Sequence, residues 1–185
     1  MLFRSDEDFE QHARMEQYII GPVFNLDFFY NPLEDKGEKI ELLGVDWRFE
    51  SSLDGYVRLT AEQQIGLEKD GIIPEYTVCG HNSATLRESL LDKAFGLAEK
   101  YVKATQEYYS PGIIGPFCLQ TCVDKDLDFY IYDVAPRIGG GTNVHMSVGH
   151  PYGNTLWRQD MSTGRRLAKM VREAIEQDRL DEVVT

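Results

Sequence analysis

The sequence predicts an α+β fold in which helices cover an antiparallel sheet. Three observations predict it. Runs rich in Val, Ile, Phe and Tyr are separated by short Gly, Pro or Asp turns, as hairpin-linked strands require. Two later segments carry apolar residues at helical spacing. No strand–helix–strand alternation is present, so the pattern does not indicate a parallel sheet. The 185 residues suffice for one generous domain or two small ones, and a hydrophobic fraction of 42% is that of an ordinary globular chain.

In chain order, Ser5 to Gln17 show helical charge patterning behind a cap at Ser5 or Asp6. "YIIGPVFNLDFFY" is a strand broken at Gly21-Pro22, because the residue before a proline is pushed out of helical geometry. "NPLEDKGEK" is a turn and "IELLGVDWRFE" the returning antiparallel strand. Residues 51–73 are polar with weak periodicity, which predicts an irregular connection with one helical turn. "EYTVCG" is a short strand. A long helix is expected from Ser83 or Thr85, with Leu86, Leu90, Ala94, Leu97, Ala98, Tyr101 and Val102 on one stripe, ended by "SPGIIGP". "IIGPFCLQTCV" and "LDFYIYDVA" flank the charged turn "DKD" as a β-hairpin. A loop runs on to Met161. Ser162 then caps a final helix whose buried stripe is Leu167, Met170, Val171, Ala174 and Ile175.

Composition excludes several function classes. A net charge of −12 opposes non-specific nucleic-acid binding and attraction to an anionic membrane, both of which need a positive surface. No stretch approaches the roughly 20 apolar residues of a membrane span. The amino end lacks the basic and apolar regions of a signal peptide, so a cytoplasmic location is expected. Cys79, Cys118 and Cys122 lack zinc-site spacing and are expected as buried thiols.

Several residues carry chemistry. Gln120 and Asp133 lie on the two strands of the hairpin. An even number of loop residues puts both on one face, where two hard oxygens suit Mg²⁺ held with a nucleotide; an odd number separates them. The plain alternative pairs Asp133 with Arg137 and leaves Gln120 in solvent. "IGGGTN" is not a P-loop, since no Lys-Ser or Lys-Thr follows, yet successive amides can cradle an anion and Arg137 adds a fork of donors. A simple turn explains it equally well. Arg48 and Glu50 alternate at a strand end and share one face, with a surface ion pair as the plain account. His81 is expected in a loop between strand and helix, where its ring can be offered to a ligand, with a helix-entry hydrogen bond as the plain account. His145 and His150 have no third ligand at metal spacing. Arg165 and Arg166, at a helix start, suit a phosphate or remain solvated.

Taken in order, "EQYIIG", "ELLGVDWRFESSLDG", "LRESLL", "GIIGPFCLQ", "YDVAPRIGGGTN" and "STGRR" with "AIEQDRLDEVVT" resemble one family. It is the formate-dependent 5-formaminoimidazole-4-carboxamide ribonucleotide synthetase family of largely archaeal purine (IMP) biosynthesis, made of ATP-grasp ligases. The resemblance spans about Glu16 to Thr185. It implies the carboxy-terminal half of an ATP-grasp fold, with ATP and Mg²⁺ (or Mn²⁺) as cofactors, and formate and aminoimidazole carboxamide ribonucleotide as substrates. Formyl phosphate is the implied intermediate, since phosphoryl transfer is a matter of positioning and charge neutralisation.

By position, the resemblance gives Glu50 an ATP contact, Gln120 and Asp133 the metal, and His81 with Asn82 the substrate. Arg137 takes a catalytic, phosphate-side role, with Thr142 and Asn143 on the cofactor. Both metal positions are acidic in the family, so Gln120 removes one charge. Residues 1–17 are expected as a helical segment at the hinge between lobes, and 18–185 as the carboxy-terminal domain. The active site is then completed by upstream sequence or a partner chain, and homo-oligomerisation is compatible with this. A non-catalytic binding or assembly subunit, or a ligase for another acid and amine, are the competing readings.

Overall fold

A computed structural model describes residues 16–35 and 39–184. Strands β1 (Val23–Tyr30), β2 (Ile40–Glu50), β3 (Val78–Ser83), β4 (Gly115–Val123) and β5 (Phe129–Ala135) form one sheet. Its order is β3-β2-β1-β4-β5, with every neighbouring pair antiparallel. Strand β1 is central because its last six residues are buried on both faces, a demand that "NLDFFY" meets with aromatic, aliphatic and only two polar side chains.

The two faces differ in chemistry. One carries Leu26, Phe28, Val45, Phe117 and Leu119, and receives helix α3 (Leu91–Tyr108) through Ala94, Ala98 and Val102. Phe28 stacks on Phe117 and meets Phe95 edge to face, each at 5.6 Å between centroids. The expected stripe of this helix is therefore the stripe that docks, with Leu97 and Tyr101 at its half-buried margin. The helix begins later than expected, at Leu91 behind a 3-10 turn, because Ser83 is still in β3.

The opposite face has a small apolar cluster at one end and polar residues at the other. Phe29, Leu33 and Leu43 meet Met170 and Ala174 of helix α5 (Thr163–Glu176). Ser162 caps α5 by accepting from the Arg165 amide, as expected. Its buried seam is a correction. Thr163, Arg166, Met170 and Ala174 face inward, while Leu167 and Ile175 are exposed. The helix is turned by Arg166, which is 1% exposed and lies over the rings of Phe29 and Trp157. Its Nε and Nη2 donate to Glu41 at 2.9 and 2.7 Å, and Trp157 Nε1 donates to the same carboxylate at 2.8 Å. Arg166 is thus committed to the core and does not hold a phosphate. Arg165 donates to the Asp160 carbonyl instead.

Other expectations are corrected at the connections. Residues 51–73 contain two helices, α1 (Ser51–Tyr56) and α2 (Ala61–Lys69). Thr60 and Gln63 close a capping box at the start of α2, a signal stronger than the weak apolar periodicity. The loop to Met161 holds a 3-10 turn (Gly141–His145) and helix α4 (Pro151–Trp157), whose Pro151 sits where its missing N–H costs nothing. The predicted strand "EYTVCG" lies three residues later, at Val78–Ser83. Cys118 and Cys122 are buried as free thiols, but Cys79 is exposed. Among the described residues no helix is long and apolar enough to cross a membrane. The helix expected over Ser5 to Gln17 lies, through residue 15, outside the described residues.

Removing one partner of a buried ion pair strands the other charge, at a cost of about 3–5 kcal/mol. Glu41→Ala is expected to lower the unfolding free energy by that amount in a urea titration, because it strips Arg166 and Trp157 of their shared acceptor.

Candidate functional site

The polar half of the second face is built by strand alternation. Asn25 and Asp27 stand two apart on β1, Cys118 and Gln120 on β4, and Asp46 and Arg48 on β2. Cross-strand pairing sets Asn25 between Asp46 and Gln120, Asp27 beside Cys118, and Arg48 beside His81 of β3. The turn after β5 covers this group with Gly139, Gly140 and Gly141. Asn25, Arg48, His81, Cys118, Gln120 and the first two of those glycines line a cavity of about 240 Å³.

Two of the three glycines, Gly139 and Gly141, are needed for close approach. A Cβ on Gly141 would lie 2.0 Å from Asp46 Oδ1, and one on Gly139 would lie 2.9 Å from Cys118 Sγ. Beneath them the carboxylates are buried. Asp46 is fully buried and its Oδ1 accepts from Asn25 Nδ2 at 2.9 Å and meets His81 Nδ1 at 2.5 Å. Asp27 Oδ1 accepts from Thr142 Oγ1 at 3.0 Å. Asn25 Oδ1, Asp27 Oδ2 and Asp46 Oδ2 have no protein partner. Burial, reinforced by the charge of Asp46, pushes the Asp27 carboxyl up to about 7. Burial together with the charges of Asp27 and Asp46 drives the Cys118 thiol far up, so it stays protonated.

Gln120 and Asp133 are direct cross-strand partners, and Gln120 Nε2 donates to Asp133 Oδ2. Loop parity alone gives the opposite result. Val123 pairs with Phe129, so the hairpin loop, 124–128, is odd and separates the two residues on its own. A β-bulge at Tyr132 supplies one further residue and returns Asp133 to the face of Gln120. The alternative pairing of Asp133 with Arg137 is absent among the described residues, and the Arg137 guanidinium donates to the Ile138 carbonyl. Arg48 takes the neighbouring place: its Nη1 donates to Gln120 Oε1 at 3.1 Å and to the Tyr132 hydroxyl. The expected Arg48–Glu50 ion pair is not formed.

The donor set fits a hard cation shared with phosphates. Asp133 offers its carboxylate and Gln120 its amide side by side at an exposed rim, and no cluster of three or more His, Cys, Asp or Glu capable of holding a metal alone exists among the described residues. Mg²⁺ characteristically takes one or two protein oxygens and completes its shell with phosphate and water. For Gln120 to ligate through Oε1, a bound cation would have to displace Arg48 from that oxygen.

The remaining expected residues are dispersed. His81 lies in β3 itself, not in a loop, and faces the cavity. Asn82 is exposed and pairs with Trp47, so alternation turns it to the other face from His81. Glu50 closes β2, its amide donating to Asp54. Thr142 is buried against Asp27, whereas Arg137 and Asn143 are exposed on the covering turn. His145 and His150 meet edge to face, and burial followed by the neighbouring His150 lowers His145 to about 4. Sequence reasoning missed Asn25, Asp27 and Asp46. Their signal was a polar residue at alternate positions inside "FNLDFF" and "GVDW", where a buried strand has no need of one.

The chain matches, over residues 4–185, the family described as "Domain of unknown function (DUF1297)". It is 40% identical over 179 residues to a 5-formaminoimidazole-4-carboxamide-1-(beta)-D-ribofuranosyl 5'-monophosphate synthetase of Methanothermobacter thermautotrophicus, covering 97% of this chain and 47% of that protein. The synthetase of the same name from Methanococcus maripaludis is 37% identical over 179 residues, covering 97% and 48%. The chain thus spans about half the length of these relatives. The crystal structure of an IMP biosynthesis protein PurP from Thermococcus kodakaraensis superposes with a TM-score of 0.73 at 36% identity, covering 91% of this chain and 51% of that one. The resemblance carried by the ordered motifs holds, and so does the fold class, an antiparallel sheet with flanking helices as in the carboxy-terminal half of an ATP-grasp ligase.

Two outcomes follow from this geometry. Gly141→Ala is expected to cost about 1–3 kcal/mol by overpacking Asp46, while Gly164→Ala, with open space around it, is neutral or stabilising; thermal unfolding compares them. Burial holds the folded Asp27 carboxyl up at about 7, against the usual 3.8 in the unfolded chain. Below pH 4 both states are protonated; as pH rises to 7 only the unfolded state ionises, and stability falls, by an amount on the order of 4 kcal/mol. Asp27→Asn is expected to flatten that decline in unfolding titrations between pH 4 and 8.

Proposed function

The chain belongs to the DUF1297 family, and from that membership we propose that it forms the carboxy-terminal part of an ATP- and formate-dependent ligase that formylates aminoimidazole carboxamide ribonucleotide. The observation that carries this reading is the bulged register that sets Gln120 against Asp133 at the rim of a cavity holding Arg48 and His81. Gln120 and Asp133 would hold Mg²⁺, which when bound would neutralise the phosphate charge of ATP. Arg48 stands beside them as a fixed cation for the phosphoryl group in transit. Glu50 contacts the nucleotide, and Arg137, Thr142 and Asn143 form the phosphate side.

In this reading formate attacks the γ-phosphorus and ADP leaves; the amine then attacks the carbon of formyl phosphate and inorganic phosphate leaves. Residues 1–17 serve as the hinge segment and 18–185 as the domain. The rest of the ligase, in the same or a partner chain, supplies the lobe that closes over the nucleotide. The activity in the relatives' names favours this reading over a non-catalytic assembly subunit.

The 185-residue protein alone is expected to show no formate-dependent ATP hydrolysis; robust turnover would overturn the proposed division of the site. In the ligase assembled with the remaining lobe, Asp133→Ala is expected to weaken Mg²⁺–nucleotide binding by about 10–100-fold, the range seen even for outer-shell changes. Calorimetry should find a smaller effect on metal affinity for Glu50→Gln.

A further inference from the structure

We infer that Asp46 and His81 form a carboxylate–imidazole pair in which His81 Nε2 accepts a proton from a nucleophile in the cavity and Asp46 is the positioning residue behind it. The geometry is that of a buried orienter and an accessible ring. The Asp46 side chain is 0% exposed and that of His81 22%. The 2.5 Å contact from Asp46 Oδ1 to His81 Nδ1 assigns the proton to Nδ1, because a carboxylate oxygen can only accept. Asn25 Nδ2 also lies 3.4 Å from His81 Nδ1, but it donates at the shorter 2.9 Å to Asp46 Oδ1, and the close carboxylate contact sets the assignment. The ring lone pair is therefore on Nε2, which has no hydrogen-bond partner among the described residues and faces Gly140, 3.8 Å from the position of a Cβ there. A glycine at this place keeps the approach to Nε2 open.

The groups around the ring are few. From β2 they are Asp46 and the cross-strand neighbour Arg48; from β1, Asn25, with Asp27 behind it; from β4, Cys118 across the cavity. His145 of the covering turn is kept neutral by burial. Asp46 thus supplies the counter-charge for a protonated ring, while Arg48, on β2 beside His81, is placed to hold negative charge in the cavity.

The identity of the nucleophile rests on the ligase reading. The amine nitrogen of the nucleotide forms a bond to the formyl carbon, the bond from that carbon to the bridging oxygen breaks, and inorganic phosphate leaves with the electron pair. The proton shed by nitrogen goes to His81 Nε2. This arrangement needs no oxidant or further reactant.

The test has two arms. In the first, long-range ¹H–¹⁵N correlation spectra of the 185-residue protein at about pH 9, above the ordinary histidine range, report the tautomer of His81. Nδ1–H is expected in the parent and a shift toward Nε2–H in Asp46→Asn; an Nε2–H parent overturns the pair. The second arm uses the ligase assembled with its remaining lobe. His81→Asn, which retains a polar tip but no basic nitrogen, is expected to lower kcat of amine formylation about 100-fold with a smaller change in KM. The loss should exceed any loss in ATP cleavage with formate alone. Equal loss in both stages overturns the proton-acceptor role. A parent that cleaves no ATP with formate overturns the ligase reading and the named nucleophile, and the tautomer arm then decides the pair by itself.

Discussion

The polar half of the sheet depends on how closely the backbone of residues 139–141 can approach it. Asp27 and Asp46 are acidic groups on central strands, where burial is most costly. They are tolerated because a turn without side chains lies directly over them and brings Thr142 down to Asp27. A β-carbon on the third glycine would occupy the space of the Asp46 carboxylate. The same contact shapes the cavity, since the turn that covers the acids also forms one of its walls.

At the far end of this face, electrostatics is handled differently. Glu41 and Arg166 satisfy each other between aromatic rings, and their mutual hydrogen bonds compensate for lost water. The acidic residues near the cavity have no such cation. Their unpartnered oxygens and the upward displacement of Asp27 record incomplete compensation, as is typical where a protein retains polar groups for chemistry. Apolar burial and ion pairing are concentrated on the α3 face and around Arg166, and the candidate site occupies the least satisfied part of the sheet.

The architecture was legible wherever one physical signal dominated. The α3 stripe and the hairpin needed only periodicity, and both formed where expected, with boundaries displaced by a few residues. The α5 stripe was misread because a charged side chain was taken as outward-facing, whereas Arg166 finds Glu41 about 125 positions earlier in the chain. Local patterning carries no information about such a partner. The juxtaposition of Gln120 and Asp133 was left open by loop parity, because a bulge has no marker in "FYIYDVA". Asn25, Asp27 and Asp46 were visible as polar interruptions, yet their mutual proximity depends on a sheet order that sequence alone leaves open.

The bulge at Tyr132 makes the hairpin a counting device. Which face Asp133 presents is decided by the count of paired residues, since each residue added between Phe129 and Asp133 turns the strand over once. Contact strength along the hairpin has little say in it. The loop at 124–128 can change length without moving the carboxylate, because the pairing from Val123 and Phe129 onward is untouched. Within the paired segment a single inserted or deleted residue is silent only where a second bulge is gained or the existing one lost. Length variation along this hairpin is thus expected to be confined to its loop.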